Sequence, residues 1–259
     1  MRSLSRIRPK VGIVLGSGLS GFGENTDCRC SIPFKEIPCH PVITVEGHVG
    51  NLRLGKIGDV SVAIFEGRIH YYESGSLEDT LYQIALAREL GVRTLVITNA
   101  AGGINPSFIP GDLMLITDHI NFTYRIINQR RSIRIRHKQY YDTGLLNLAI
   151  SVAKNEGIPL RKGVYCGVQG PSYETNAEVK MLRSLAVDAV GMSTVNEVTY
   201  AKYLGMRVLG LSRIANLSSD LSGRPLSHSE VIDAGSVNNR SILRLMKAFL
   251  KAGQKMNKL

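Results

Sequence analysis

Three polar side chains with complementary chemistry follow an apolar run in the segment GRIHYYE, residues 67 to 73. Arg68, His70 and Tyr72 occupy alternate positions, and side chains at alternate positions of an extended chain point to the same side. Arginine and histidine suit an anion, whereas tyrosine suits a hydroxyl group or the face of a ring. The spacing therefore predicts a polar binding site at the end of a buried strand.

Three further segments have features that favour the binding of an anion. The glycine-rich GSGLSG, residues 16 to 21, offers backbone N–H groups and the Ser17 hydroxyl. VGMSTVNE, residues 190 to 197, puts Ser193 on a turn before a predicted helix. NAAGG, residues 99 to 103, is interpreted as a third turn, where a free N–H at Ala100 or Ala101 would meet the anion.

Several enzyme classes are not supported. GSGLSG matches the dinucleotide motif G-x-G-x-x-G, but the residues after it lack the periodicity of the helix which that motif requires. The chain contains no G-x-S-x-G of a serine hydrolase, no P-loop and no H-E-x-x-H. Hydrolase and nucleoside-triphosphate functions are therefore disfavoured.

The composition is that of a globular protein: 259 residues, 44% hydrophobic and 20% charged. We expect a basic N-terminal segment, residues 1–10, and a single domain, residues 11–259. No apolar run is long enough to span a membrane or to form a signal peptide, so a cytoplasmic protein is expected. Cys28, Cys30, Cys39 and His40 have gaps too short for a structural zinc site, which favours reduced thiols over a metal.

The formal net charge of +11 is concentrated partly in residues 124 to 138. Such charge suits a polyanion or an anionic substrate. No aromatic interleaving or recognition motif accompanies it, so a solvated loop is favoured and nucleic acid is not.

Short β-branched runs alternate with helical patterns, which predicts an α/β fold with a central mixed sheet flanked by helices. Ligands in such folds gather beyond the carboxyl ends of the strands. The clearest helix has Ser76 and Asp79 as a capping pair and Gly91 as its stop. The predicted strands are 11 to 15, 60 to 65, 93 to 98, 112 to 117 and 207 to 212, and the predicted helices are 77 to 90, 144 to 156, 174 to 185, 195 to 204 and 240 to 251.

Seven motifs resemble, in order and spacing, the trimeric purine nucleoside phosphorylase family of the inosine and guanosine type. They are LGSGL (15 to 19), GHVG (47 to 50), GRIHYYE (67 to 73), NAAGGINPSFIPGDLMLITDHIN (99 to 121), GPSYET (170 to 175), VGMSTV (190 to 195) and SRIANL (212 to 217). The resemblance implies the nucleoside phosphorylase fold and reversible attack of inorganic phosphate on a purine (deoxy)ribonucleoside, as in purine salvage. It also implies a homotrimer, with phosphate as co-substrate and no metal or organic cofactor.

The resemblance assigns roles by motif. It implies a phosphate site of Ser17, His48, Arg68, His70, the Ala100 N–H and Ser193. It implies a nucleoside site of Tyr72, Ala100, Tyr173, Glu174, Met192, Asn216 and His228, with His70, Glu174 and Asn216 as the catalytic residues. An amide at Asn216 favours 6-oxopurines. Relatives that take 6-aminopurines, such as methylthioadenosine or adenosine, carry a carboxylate there, so that specificity is the alternative.

The sequence departs from the family pattern at three places. Ala215 replaces a usual threonine, and the missing hydroxyl removes one hydrogen bond, worth about three- to tenfold in affinity or rate. Asn196 replaces the proline of STVPE, and we expect it to cap the next helix. Residues 122 to 142 are basic and carry no phenylalanine at the position where, in the family, an aromatic residue closes over the neighbouring subunit's sugar.

The divergent basic loop leaves three alternatives open. The sugar is shielded less, or Tyr124, Tyr140 or Tyr141 forms a different lid, or the chain has kept the fold while losing turnover. The last of these gives a second hypothesis, a catalytically weak family member whose loop, residues 122–140, binds a polyanion such as RNA.

Overall fold

A computed structural model describes residues 8–19, 22–23, 26–44, 49–124, 139–217 and 239–259. Its strands are β1 (Val11–Val14), β2 (Asp27–Pro33), β3 (Asn51–Ile57), β4 (Val60–Glu66), β5 (Thr94–Gly103), β6 (Leu113–Phe122), β7 (Arg161–Val168), β8 (Ala189–Gly191) and β9 (Arg207–Leu217). Its α-helices are α1 (Tyr71–Ser74), α2 (Leu77–Glu89), α3 (Thr143–Asn155), α4 (Asn176–Ser184), α5 (Val195–Tyr203) and α6 (Asn239–Lys255), with one 3₁₀ turn at Phe34–Glu36.

The strands form one mixed sheet in the order β2-β3-β4-β1-β5-β8-β7-β6-β9. Strands β4, β1, β5 and β9 run parallel to one another in the middle of the fold, while β2 and β3 form an antiparallel edge. The central strands are rich in Val, Ile and Leu and are almost wholly buried, as strands covered on both faces are. The predicted α/β class with a central mixed sheet is confirmed.

Part of the sheet closes on itself. Strand β5 pairs with both β8 and β9, so that β5, β8, β7, β6 and β9 form a ring of strands. The register between β5 and β9 shifts after Ala101, which leaves Ala215 as the extra residue of a bulge in β9. The carboxyl ends of β1, β4, β5 and β9 therefore open toward the same place, where ligands of α/β folds bind.

Local capping signals define the helices. Asp79 N–H donates to Ser76 Oγ at 3.1 Å, so the predicted start of α2 is confirmed, and Gly91 follows its end with a φ of +103°. Asp142 caps α3 by accepting from Leu145 N–H at 2.9 Å. Helices α3 and α6 pack together against Ile13 and Val96 of the sheet. All five predicted helices are present, with ends that differ from the predicted ones by four residues or fewer.

The predicted strands are also present, but β2, β3, β7 and β8 were not predicted. The interpretation of NAAGG as a turn was wrong, because residues 99 to 103 continue β5 and pair with β9. The four cysteines all lie in the described residues and are free thiols. His40, one of the zinc candidates, stacks on Phe34 with ring centroids 4.2 Å apart.

Within the described ranges, no set of three or more His, Cys, Asp or Glu side chains is grouped as a metal ion would require. None of the helices described has the length and apolar character needed to span a bilayer.

Candidate active site

A cleft of about 700 Å³ lies at the carboxyl ends of the central strands. This volume is in the range of small-molecule sites. Ten of the predicted site residues line it: Ser17, Arg68, His70, Tyr72, Ala100, Tyr173, Glu174, Met192, Ser193 and Asn216. The other two, His48 and His228, lie outside the described residues, as does the basic stretch 125–138.

Arg68 lies at the centre of one end of this cleft and is only 1% exposed. Its guanidinium donates to Glu197 Oε2 at 2.9 Å and to Ser193 Oγ at 3.2 Å, and it also bonds the carbonyl of Thr98. Glu197 is buried as well, so the two charges compensate each other in a region of low dielectric. The ion pair fixes the guanidinium beside the Ser193 hydroxyl.

Ser193 sits on an unusual turn that precedes α5. Thr194 has φ +77° and ψ −52°, and Val195 N–H donates back to Ser193 O at 2.8 Å, which together define a γ-turn. Thr194 N–H donates to Glu197 Oε2 at 2.7 Å, which places Glu197 as the capping carboxylate of α5. The expectation that Asn196 caps this helix was wrong, because its side-chain Oδ1 instead accepts from Thr123 Oγ1 at 3.4 Å.

The Ser17 turn faces the same end of the cleft. Leu19 N–H donates to Gly16 O at 3.2 Å, and Gly16 N–H donates to Thr98 Oγ1 at 3.0 Å, which ties the turn to β5. A Cβ at Gly16 would lie 2.6 Å from the Asn99 Cα, so only glycine lets the turn approach the strand this closely.

His70 is oriented by Glu73. The carboxylate Oε1 of Glu73 accepts from His70 N–H at 2.7 Å and from His70 Nδ1 at 3.0 Å, and its Oε2 accepts from Thr44 N–H and Oγ1, both at 2.8 Å. Because a carboxylate only accepts, His70 donates to it from Nδ1, which therefore carries the ring proton. Burial raises the pKa of Glu73, but the hydrogen bonds from His70 and Thr44 outweigh it and lower that pKa to about 2.

The extended conformation predicted for GRIHYYE was wrong in its second half. Strand β4 ends at Glu66, and His70 is the N-cap of the short helix α1. The three side chains still reach one cleft, because the His70 ring stacks on Tyr72 with centroids 5.0 Å apart. Burial, with the nearby charges of Glu73 and Tyr173, raises the pKa of Tyr72 to about 12, so its hydroxyl remains protonated.

The other end of the cleft carries different groups. Tyr173, Glu174, Ala215 and Asn216 line it together with Met192. Burial raises the pKa of Glu174. Asn216 Nδ2 donates to Leu217 O at 3.2 Å, which holds the amide at the end of β9.

Gly170 packs against two of the residues that line the cleft, Met192 and Tyr72. Its φ is +70°, and a Cβ there would lie 2.5 Å from Met192 Sδ and 3.0 Å from Tyr72 Cδ1. A side chain at this position would therefore displace Met192 and Tyr72 from the cleft wall.

A second groove of about 880 Å³ adjoins the cleft through Tyr173 and Glu174. Tyr124 lines it and is 81% exposed, whereas Tyr141 is 1% exposed. Tyr140 packs on His119 with ring centroids 4.5 Å apart. Of the three tyrosines considered for a lid, Tyr141 is excluded by its burial and Tyr124 is the one that borders the site.

Sequence reasoning missed four residues that shape the site: Glu73, Asn99, Thr194 and Glu197. Asn99 is 2% exposed and donates from Nδ2 to Thr194 Oγ1 at 2.8 Å. A polar residue directly after the apolar run of β5 was a visible signal for Asn99. Thr194 and Glu197 match the spacing of a capping box, which was a signal for their interaction.

The arrangement combines two binding functions. The end formed by Ser17, Arg68 and Ser193, with His70 beside them, presents hydroxyl and guanidinium donors to an anion. The end formed by Tyr173, Glu174 and Asn216 presents a ring, a carboxyl group and an amide to a polar aromatic base. The cleft is large enough to hold both ligands in contact.

Comparisons with known proteins agree with this geometry. Residues 10–251 match the model of the "Phosphorylase superfamily". The chain is 45% identical to purine nucleoside phosphorylase 1 of Bacillus subtilis over 93% of its length and 92% of the relative, and 37% identical to the purine nucleoside phosphorylase of Rattus norvegicus over 97% and 92%.

Solved structures agree as well. A Schistosoma mansoni purine nucleoside phosphorylase in complex with inosine superposes with a TM-score of 0.88 at 32% identity, covering 96% of this chain and 92% of that one. Isoform 2 from the same organism, in complex with cytosine and ribose-1-phosphate, gives a TM-score of 0.88 at 35% identity over the same shares. The chain therefore belongs to the phosphorylase superfamily and, within it, to the purine nucleoside phosphorylases.

Proposed function

We propose that the protein catalyses the reversible phosphorolysis of 6-oxopurine nucleosides, such as inosine and guanosine, to the free base and (deoxy)ribose 1-phosphate. One observation carries the proposal: a single cleft places the anion-binding end next to the end that carries Glu174 and Asn216. Inosine and ribose-1-phosphate are the ligands of two related structures, and each corresponds to one state of this reaction.

The phosphate end would hold the nucleophile below the sugar. An oxygen of phosphate forms a bond to C1′ while the bond from C1′ to the purine nitrogen breaks, and its electron pair passes into the purine. The transition state resembles a ribosyl cation, so a negatively charged phosphate held by Ser17, Arg68, the Ala100 N–H and Ser193 stabilises it. His70 Nδ1 donates to Glu73 Oε1, and this bond holds the imidazole ring at the phosphate end of the cleft.

The base end would stabilise the departing purine. Tyr173 stacks on the ring, Glu174 accepts from N1–H, and the Asn216 amide bonds N7 and donates to O6. Tyr72 and Met192, which both line the cleft, contact the sugar. Donation to O6 and acceptance from N1–H match a 6-oxopurine and oppose a 6-aminopurine, so methylthioadenosine and adenosine are the second candidates.

The proposal also includes the location, oligomeric state and cofactor requirement of the enzyme. We expect a cytoplasmic homotrimer that uses phosphate as co-substrate and requires no metal or organic cofactor, with His48 and His228 completing the phosphate and sugar contacts. The side chains of Tyr124 and Met181 line the groove beside the cleft and are exposed. Burial of this region by a neighbouring subunit would close the site against water.

The proposal is tested by product analysis. Inosine is incubated with and without phosphate, alongside guanosine, adenosine and methylthioadenosine, and the base and sugar products are separated by chromatography. We expect hypoxanthine to form only with phosphate and in equal amount to ribose 1-phosphate, and adenosine to react more slowly than inosine. Release of free ribose without phosphate would instead identify a hydrolase.

A further inference from the structure

We propose that Asn99 is a positioning residue for the phosphate site, which it serves by holding the strained turn at Thr194 and so fixing the direction of the Ser193 hydroxyl. The inference rests on the proposed phosphate site. Asn99 belongs to β5, and Thr194 lies 95 residues further along the chain. Their bond joins the central sheet to the turn that carries Ser193.

The γ-turn at Thr194 has a strained backbone, so neighbouring residues must stabilise it. A φ of +77° is unfavourable for a β-branched residue such as Thr194, and a γ-turn of this hand is rare. A conformation of this kind persists only where the surrounding structure imposes it. Side chains from other elements hold Thr194: Asn99 Nδ2 and Arg68 NH1 donate to its Oγ1 at 2.8 and 3.4 Å, and Glu197 Oε2 accepts from its N–H at 2.7 Å.

The same contacts determine where Ser193 points. Ser193 Oγ lies 3.1 Å from Thr194 Oγ1 and 3.2 Å from Arg68 NH1. The Ser193 carbonyl accepts from Val195 N–H at 2.8 Å and from the Tyr165 hydroxyl at 3.3 Å. The Ser193 carbonyl is fixed by these two bonds. Rotation of the Thr194 side chain would therefore be the movement that frees the Ser193 hydroxyl to turn away.

Asn99 Nδ2 makes the shortest contact to Thr194 Oγ1. The amide oxygen of Asn99, Oδ1, does not stabilise the fold. Asn99 Oδ1 is buried and has no hydrogen-bond partner in the described part of the chain. An unsatisfied buried acceptor destabilises a fold. A residue that serves stability alone would not leave one, whereas a residue that positions Thr194 needs only its Nδ2 donor.

Phosphate titration by calorimetry, without nucleoside, tests the inference on the intact protein. We expect Asn99→Ala to raise the Kd for phosphate about tenfold, the loss expected for one short hydrogen bond that orients a ligand group. Asn105→Ala is the matched control, because Asn105 Nδ2 makes a 2.7 Å bond to Asp188 Oδ1 and Asn105 does not line the cleft. The control is expected to lower stability and leave the Kd within about twofold.

Thr194 variants give a second, independent test. Thr194→Ser keeps the Oγ and should retain phosphate affinity, whereas Thr194→Ala and Thr194→Gly should both lose it. Glycine adopts positive φ without a steric penalty, so Thr194→Gly should melt about 2–4 °C above Thr194→Ala, the reverse of the usual order. Steady-state kinetics should show a higher KM for phosphate in the Ala and Gly variants and an unchanged KM for inosine.

An unchanged Kd in Asn99→Ala, or an equal rise in Asn105→Ala, would overturn the inference. So would a Thr194→Ser variant as weak as Thr194→Ala, or a Thr194→Gly variant that melts below it. Each of these results leaves the proposed function intact, provided that the wild-type protein binds phosphate and cleaves inosine. Failure of the wild-type protein to do either would refute the proposed function itself.

Discussion

Glu73 accepts two hydrogen bonds from His70, one from the backbone N–H at 2.7 Å and one from ring Nδ1 at 3.0 Å. One carboxylate therefore fixes both the start of α1 and the orientation of the imidazole. The relationship explains how a histidine outside the sheet is presented to the phosphate end of the cleft.

Glu73→Ala is predicted to raise the KM for phosphate about tenfold, because the His70 ring loses the bond that orients it. Glu73→Gln, which keeps one acceptor oxygen, should fall between Glu73→Ala and the wild-type protein. Glu78→Gln is the control, since Glu78 is an exposed carboxylate of the neighbouring helix α2. Equal KM values in the Ala and Gln variants would argue against the orienting role.

Arg68→Ala is predicted to raise the KM for phosphate far more than that for inosine. It also leaves Glu197 buried without a partner, which should destabilise the fold by about 3–5 kcal/mol. The double variant Arg68→Met, Glu197→Gln removes both charges and should recover most of that stability without recovering phosphate affinity. A double variant that regains its affinity for phosphate would show that Arg68 acts only through the fold.

Ala215→Thr is predicted to increase kcat/KM for inosine about three- to tenfold, because it adds a hydroxyl group to the base end of the cleft. Ala215 is 4% exposed and lines the cleft beside Asn216. Ala215→Val has the same shape without the hydroxyl and is the matched control. A gain in both variants would indicate packing as the cause.

Asn216→Asp is predicted to lower kcat/KM for inosine at least about tenfold and to increase it for adenosine. A carboxylate accepts from a 6-amino group and repels O6 of a 6-oxopurine. The ratio of the two kcat/KM values, measured side by side, checks the prediction. An unchanged ratio would place the base away from Asn216.

The stability of the protein is predicted to fall as the pH is lowered from about 6.5 to about 4, with His119 as one cause. Burial lowers the pKa of His119 to about 4 against its ordinary value of 6.5. Between these pH values the unfolded chain binds a proton that the folded chain excludes, so stability rises with pH across the window. In His119→Gln, the difference between the unfolding free energies at the two ends of this pH window should be smaller by up to about 3 kcal/mol, as measured by urea titration. If the unfolding free energy changed equally with pH in both proteins, the loss of stability at low pH would belong to other groups.

Much of the fold was predictable because its signals are local. Ser76 and Asp79 lie three residues apart, and the helix that they start was predicted to within one residue at its end. Strands β2 and β3 alternate polar and apolar residues weakly and lie at the edge of the sheet, so their pattern did not stand out. NAAGG has the composition of a turn, but its pairing with β9 holds it in a strand.

The residues of the candidate site could be predicted from their types, but the hydrogen bonds and ion pairs that position them could not. Arg68 and His70 were identified by the chemistry of their side chains and by resemblance. The partners that position them are distant along the chain, as with Arg68 and Glu197, which are separated by 129 residues. Spacing along a single sequence does not encode such contacts, since they form only when the strands assemble.

The position of phosphate in a crystal of the protein tests the central claim most directly. Phosphate bound at the centre of the donor-rich end, within hydrogen-bond distance of the Ser17 and Ser193 hydroxyls and the Arg68 guanidinium, is the predicted result. Phosphate bound elsewhere, with this end of the cleft empty at a saturating concentration, would contradict it.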